Sequence, residues 1–145
     1  MPYKNILVAI DLSEESNQVV SRAKEIADSS GAELSLIYVR EPLHQVHGDA
    51  LTPYGANKSL DYEARKEAEI KLKEIATKWG ILPGECFVPL GNPTSKIRQT
   101  AKKLKSDLVV IGTHGRKGAK KLLLGSNAHS LLNGTQTDVQ VIKIK

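Results

Sequence analysis

Asn5-Ile6-Leu7-Val8-Ala9-Ile10-Asp11-Leu12-Ser13-Glu14-Glu15 decides the fold. Asn5 to Ile10 reads as a strand, apolar without alternation from Ile6 on. Such runs suit strands buried on both faces, the condition of a parallel sheet. Asp11 ends the run. Ser13, Glu14 and Glu15 then offer helix-start chemistry, a Ser cap with acids in the first turn. Val19, Val20, Ala23, Ile26 and Ala27 recur at helical spacing, and Gly31 ends that helix.

Working outward, the pattern repeats. Glu33 to Val39 reads as a second strand. Arg40 to Lys58 holds Pro42, Gly48, Pro53 and Gly55 without a clear period, so it reads as a long loop of the kind that carries function. Leu60 to Trp79 reads as a second helix with Ala64, Ala68, Leu72, Ile75 and Ala76 inward and Gly80 at its end. Glu85 to Leu90 is the expected third strand. Asn92-Pro93-Thr94 opens a third helix with Ile97, Ala101 and Leu104 on its apolar side. Asp107 to Ile111 is the fourth strand and stops at Gly112. Ala119 to Asn133 reads as helical, broken at Gly125-Ser126, and Asp138 to Ile144 as the fifth strand. The alternation predicts an α/β fold: one domain, residues 1–145, with an open twisted parallel sheet of five strands, right-handed crossovers and helices on both faces.

Composition agrees. The 145 residues are 40% hydrophobic and 26% charged, which suits a folded globule rather than a disordered or low-complexity chain. No apolar run reaches the roughly 18 residues of a membrane helix, so no membrane insertion is expected. Met1-Pro2-Tyr3-Lys4 leads into the first strand without a secretory pattern, which predicts a cytoplasmic protein. A single cysteine, Cys86, permits neither an internal disulfide nor a Cys-based zinc site, and is expected to pack as a small core residue.

Charge is unevenly placed. Residues 1–95 carry 10 Lys/Arg against 14 Asp/Glu, a net of −4; residues 96–145 carry 11 against 2, a net of +9, giving +5 for the chain. An anionic ligand is therefore expected at the C-terminal third. No aromatic residue follows Phe87, so that basic third lacks the rings on which single-stranded bases stack. No helix-turn-helix is visible either, and nucleic acid ranks low as a partner.

Open α/β sheets bind ligands beyond the carboxyl ends of their strands, where strand order reverses. Two strands end in suitable chemistry. The first ends in Asp11, whose carboxylate can accept hydrogen bonds from ribose hydroxyls. The fourth ends in Gly112-Thr113-His114-Gly115-Arg116-Lys117-Gly118, whose glycines let backbone N–H groups turn towards phosphate. With nine residues between it and Gly115, Gly125-Ser126 opens a helix, a natural phosphate site. Arg116, Lys117, Lys120 and Lys121 add positive charge. There is no Gly-x-x-x-x-Gly-Lys-Ser/Thr loop and no Gly-x-Gly-x-x-Gly after the first strand, which excludes a P-loop NTPase and an ordinary dinucleotide binder.

These stretches resemble the universal stress protein family. Lys4 to Ser16 is similar to its opening strand and turn, Asp107 to Gly115 to its fourth strand, and the likeness covers essentially the whole chain. The resemblance implies a nucleotide-binding α-hydrolase-like sheet of order 3-2-1-4-5. The Gly-x-x-Gly, nine residues, Gly-Ser pattern is the mark of the branch that binds ATP. It implies that Ala9 and Asp11 line the adenosine and that Val39 touches adenine. Gly112, Gly115 and Arg116 would hold phosphates from one side and Gly125, Ser126 and Asn127 from the other. Apart from the resemblance, His114 can orient a phosphate or only occupy the loop, and Asp11 can help place Mg²⁺ through water. Asn127 stands where the family usually has an apolar residue, and serves through its backbone N–H. The ending Thr137 to Ile144 is closer to the branch without ATP.

Plainer roles compete. Asp11 can cap the first helix or turn, and Gly112 and Gly115 can make a tight turn. Lys96, Arg98, Lys102, Lys103 and Lys105 fit a solvated helix face, and His129 and Ser130 a helix surface. His44-x-x-His47 has only Asp49 nearby and reads as solvated loop, so no metal site is expected. No general base or nucleophile set stands out, so binding is expected rather than catalysis, with at most slow ATP hydrolysis. The preferred reading is an ATP-binding regulatory stress-response protein with an unknown protein partner. The alternatives are a dimeric interaction module without nucleotide and, third, a nucleic-acid-binding protein. A homodimer is expected through the last strand, whose Val139, Val141, Ile142 and Ile144 leave an edge to cover.

Overall fold

The first strand, β1 (Asn5–Ala9), splits its apolar run between two layers. Ile6, Val8 and Ile10 join one buried cluster and Leu7 and Ala9 the other. Successive side chains on a strand point to opposite faces, so a run without alternation is what a doubly covered strand requires. In this computed structural model, residues 2–42, 54–113, 126–134 and 136–145 are described, side chains of 54–59, 126–128 and 132 excepted.

The strands β2 (Glu33–Ile37), β3 (Cys86–Phe87), β4 (Leu108–Gly112) and β5 (Asp138–Ile142) complete a five-stranded sheet of order β3-β2-β1-β4-β5. All pairs are parallel, with Ala9 opposite Ile37 on one side and Ile111 on the other. One cluster sets Ile6, Val8, Leu36 and Val110 against Val19, Val20 and Ala23 of α1 (Ser16–Ser30) and Leu72 and Ala76 of α2 (Tyr54–Lys78). The other sets Leu7, Ile37, Val109 and Ile111 against Ile97 and Ala101 of α3 (Pro93–Leu104) and Leu131 of α4 (Ser126–Gly134). The expected fold class and strand order are both present.

Element ends differ from expectation for local reasons. α1 starts at Ser16, not Ser13, because three tight turns precede it: the N–H groups of Ser16, Asn17 and Gln18 bond the carbonyls of Ser13, Glu14 and Glu15. Glu15 occupies the cap position without a side-chain cap. α2 extends back to Tyr54, into a stretch without apolar period, since the pattern marks only the part that packs on the sheet. β3 keeps two residues: Pro83–Glu85 forms a 3₁₀ turn before it, and Pro89 has no N–H to donate. Pairing resumes as a bridge between Arg40 and Leu90. Asn92 caps α3 as expected, its side-chain oxygen accepting from the Ser95 N–H at 3.0 Å. Gly31 ends α1 with φ 76°, a left-handed position that glycine adopts without strain. Cys86 is half-buried against the first cluster.

At the amino edge of the sheet one carboxylate holds two strands together. Asp107, just before β4, accepts the Lys4 N–H at 2.9 Å and the Asn5 N–H at 3.0 Å. Partial burial pushes this carboxyl up, but the N–H groups of Asn5, Lys4 and Asp107 itself, with the Lys4 charge, outweigh it and hold the group below its usual range. A carboxylate held low when folded adds stability above its unfolded range, and that stability is lost as pH falls through the folded value. Asp107→Ala is therefore expected to lower the urea midpoint at pH 7, by less than about 1 kcal/mol given the solvent around the group. The gap from the parent protein should narrow as pH is lowered below roughly 4; a gap that stays constant with pH would remove the carboxylate's charge from the account.

Candidate functional site

Strand order reverses between β1 and β4. The chain runs from β1 outward through β2 to β3, then returns to place β4 on the other side of β1. Ala9 and Ile111 are register partners, so Asp11 and Gly112 leave the sheet at the same rim. The rim is held by backbone bonds: the Ile10 N–H donates to the Ile37 carbonyl at 3.0 Å and the Thr113 N–H to the Ile142 carbonyl at 2.9 Å. This is the crevice where open α/β sheets take their ligands.

Asp11 organises the turn on its own side. Its Oδ1 accepts the Ser13 N–H at 3.0 Å, the Ser13 hydroxyl at 2.6 Å and the Ser16 hydroxyl at 2.9 Å. Ser16 is buried, so its hydroxyl needs that partner. The plainer role considered for Asp11, holding the turn, is thus real. Among the described residues the bonds to Asp11 all fall on Oδ1. Between Asp11 and Ser13, Leu12 sits at φ 67°, a region that costs a leucine of order 1 kcal/mol. Composition and periodicity give no sign of that strain.

Ala9 is buried and Val39 half-buried, both against the cluster beneath α3 and α4. Gly112 behaves differently from expectation. Its backbone is not left-handed; the glycines with positive φ among the described residues are Gly31, Gly80 and Gly91. A side chain on Gly112 would instead meet Ile144 Cδ1 at 2.6 Å and Val19 Cγ2 at 3.2 Å. A larger residue here would have to displace the end of the Ile144 side chain. His114, Gly115, Arg116 and Gly125 lie outside the described residues, as do His44, His47 and Asp49. Ser126 opens α4 with Asn127 next, which places a helix N-terminus where one was expected. Of the sequence-derived site residues, Ala9, Asp11, Val39 and Gly112 are brought to the carboxyl rim.

Arg40, one residue past Val39, escaped sequence reasoning. It is 8% exposed, and its guanidinium donates to Asp61 Oδ1 on α2 at 2.8 Å. The pairing ties the end of β2 to α2 across 21 residues of chain. Its Nε is buried and has no hydrogen-bond partner among the described residues. An acid in the right turn of α2 was the available signal, but many acids there would have served. His129 and Ser130 are exposed on α4, as expected. Arg98, Lys102, Lys103 and Lys105 are exposed and Lys96 half-buried; Arg98 also donates to the Gly134 carbonyl at the end of α4. Among the described residues no group of three or more His, Cys, Asp or Glu forms a metal cluster, and no helix is long and apolar enough to cross a membrane.

The Asp11 turn carries a stability prediction. Asp11→Ala removes three hydrogen bonds to a carboxylate and strands the buried Ser16 hydroxyl. A loss of about 1–3 kcal/mol in unfolding free energy is expected from denaturant titration. An unchanged midpoint would show that Asp11 does not hold the turn.

The universal stress protein family model matches residues 2–143. Universal stress protein A homolog 2 of Coxiella burnetii is 36% identical over 146 residues, covering 99% of this chain and 97% of the relative. Universal stress protein MJ0531 of Methanocaldococcus jannaschii is 33% identical, covering 97% and 82%. Among solved structures, the hypothetical protein MJ0577 superposes with a TM-score of 0.84 at 22% identity, covering 100% of this chain and 99% of the other. A universal stress protein solved in complex with cAMP gives 0.64 at 24% identity, covering 99% and 98%. The match of pattern, sheet order and sequence along the whole length settles the family: the chain belongs to the universal stress proteins.

Proposed function

We propose that this protein binds an adenine nucleotide, ATP, at the β1/β4 rim and acts as a cytoplasmic stress-response regulator rather than as an enzyme. The observation that carries the reading is the shared rim itself. Asp11 ends β1 where β4 passes into Gly112-x-x-Gly115, nine residues, Gly125-Ser126. With Oδ1 committed to Ser13 and Ser16, Oδ2 is the oxygen that would accept from ribose hydroxyls. Small, buried Ala9 and half-buried Val39 would offer an apolar edge to the adenosine. Backbone N–H groups of the glycine loop and of the α4 N-terminus would take the phosphates, with the positive charge of Arg116 nearby.

The donor set fits a nucleotide better than a resident metal. Mg²⁺ reaches such sites mostly on the phosphates, with one or two carboxylates and several waters. Asp11 is the carboxylate available at this rim, and Mg²⁺ would supply charge neutralisation there. Ligand occupancy would then shift the population of the loop, and a partner protein would read the shift. That a universal stress protein of the same fold was solved in complex with cAMP is consistent with an adenine ligand in this architecture. One observation favours the second reading, an interaction module without nucleotide: Gly112 packs against Ile144 and Val19, a contact that needs no ligand.

Isothermal calorimetry with Mg-ATP separates the two. Binding heat and a raised melting temperature are expected. Asp11→Asn should weaken binding by about tenfold, the value of one good hydrogen bond, and Gly115→Val with Gly125→Val should abolish it. Neither heat nor a melting shift in the parent protein would leave the interaction module.

Homodimerisation through β5 belongs to the same proposal. β5 is an edge strand with Val139 and Val141 half-buried, so its outer N–H and C=O groups offer a two-fold pairing surface. Val141→Pro should shift sedimentation towards the monomer. The same sedimentation coefficient in both proteins would take the edge out of the dimer.

A further inference from the structure

Charge divides between the two helical layers. The ion pairs among the described residues all fall on the side of α1 and α2. Arg22–Glu25 and Lys24–Asp28 lie on α1, Arg65–Glu69 and Lys71–Glu67 on α2, and Arg40–Asp61 joins β2 to α2. On the other side α3 carries Lys96, Arg98, Lys102 and Lys103, with Lys105 at its cap, and neither α3 nor α4 carries an acid. From residue 86 to residue 137 the sequence holds one acid, Asp107, against nine Lys/Arg. Two of the α3 cations are occupied locally. Arg98 donates to the Gly134 carbonyl at 2.9 Å, and the stem of half-buried Lys96 lies over Gly91. Lys102, Lys103 and Lys105 are exposed and form no ion pair among the described residues.

These three lie far from the candidate nucleotide site. The Lys105 carbonyl accepts the Asn5 side-chain amide at 3.3 Å, so the end of α3 sits beside the first residue of β1. Asp11 is about 20 Å further along at the rise of a strand, beyond what a lysine side chain spans. Phosphates at the carboxyl rim cannot be the partner of these charges. The helix dipole accounts for Lys102 and Lys103 in the last turn. It does not account for Lys105 at φ 56°, a left-handed cap position where glycine or asparagine sits without strain. A lysine held there at a conformational cost points to use of its charge.

The surroundings of the lysines select the partner. Ser106, next to Lys105, borders a polar cleft of about 590 Å³ lined also by Tyr3, Asp107, Gln136 and Asp138. The two carboxylates are held by the Lys4 and Asn5 N–H groups and by the Tyr3 hydroxyl. Their charge repels a continuous polyanion laid across this rim, whether a nucleic-acid duplex or an anionic membrane surface. The large exposed apolar side chains, Leu60, Tyr62, Ile70, Leu82 and Leu90, all lie outside α3 and α4, so this face has no apolar group to enter a bilayer. A short acidic stretch of polypeptide fits: it sets carboxylates on three neighbouring lysines and ends before the cleft. We propose that the C-terminal end of α3 is a docking surface for an acidic segment of a partner protein, with Lys102, Lys103 and Lys105 as its contacts. The surface lies at the rim opposite Asp11 and does not depend on the nucleotide reading.

Fluorescence anisotropy of a labelled oligoglutamate peptide tests the surface. The parent protein should bind the peptide at low ionic strength, and added salt should weaken the binding. Lys102→Glu, Lys103→Glu and Lys105→Glu together should weaken it by about tenfold, the sum of three exposed charge contacts. Lys66→Glu, Lys73→Glu and Lys78→Glu together make the same charge change on α2 and should cost less than about threefold. Lys105→Gly alone should melt no lower than the parent, since it relieves the left-handed strain, yet bind the peptide more weakly. A role confined to the fold would not separate those two readouts. Mg-ATP calorimetry of the triple α3 variant should match the parent; a loss there as large as the loss of peptide assigns the lysines to the nucleotide and overturns the proposal. Equal losses of peptide in the two triple variants overturn it too, as does a parent protein that does not bind the peptide. So does tighter binding of duplex DNA or of phosphatidylserine vesicles that the α3 variant abolishes. A parent protein without Mg-ATP heat would retire the nucleotide reading, and the peptide result would still decide this one.

Discussion

A strand buried on both faces can offer the solvent only its ends. β1 is such a strand: Leu7 and Val8 are fully covered from opposite sides, and β2 and β4 take its hydrogen bonds along both edges. Every group with chemistry is thereby pushed to the rims. The amino rim is spent on structure, where Asp107 and Asp138 hold Lys4, Asn5 and Tyr3. The carboxyl rim keeps Asp11 and Gly112, at the ends of two neighbouring strands. The sheet order creates this division, because β4 returns to the centre beside β1.

The carboxyl rim is itself built by polar groups that serve the fold first. Asp11 closes the turn into α1, Arg40 ties β2 to α2, and Thr113 receives the last residues of the chain. In the Arg40–Asp61 pair the guanidinium is buried and the carboxylate is partly exposed, so the pair adds little net stability, while losing the carboxylate would leave a buried charge unpaired. Its effect is to fix α2 against the strand end beside Val39. A strained Leu12 and an Arg40 Nε without a partner among the described residues sit at the same rim. Such costs persist only where surrounding contacts outweigh them, and they concentrate where a fold is shaped for a ligand.

Much of this was legible in the sequence, and the reason is periodicity. The unbroken run Asn5 to Ile10 and its counterpart Leu108 to Ile111 announce doubly covered strands, and Gly31 and Asn92 mark helix ends through backbone preferences that need no tertiary context. The parallel sheet, its crossovers and the rim position of Asp11 follow from that. What periodicity cannot carry is a contact between distant segments. Gly112 looked like loop chemistry because glycines cluster after it, yet its side is closed by Ile144, 32 residues later. Arg40 looked like the first residue of a loop because nothing local identifies Asp61 as its partner. α1 starts at Ser16 because Asp11 holds Ser13 in the preceding turn and leaves Glu15 at the cap position.

The central claim is that the two sides of one rim hold one ligand. A crystal structure grown with Mg-ATP tests it most directly. The account predicts a nucleotide over the ends of β1 and β4, its ribose on the Asp11 carboxylate and its phosphates on the main chain between residues 112 and 127. A rim closed by protein side chains at saturating nucleotide, or a nucleotide seated elsewhere on the molecule, would contradict it.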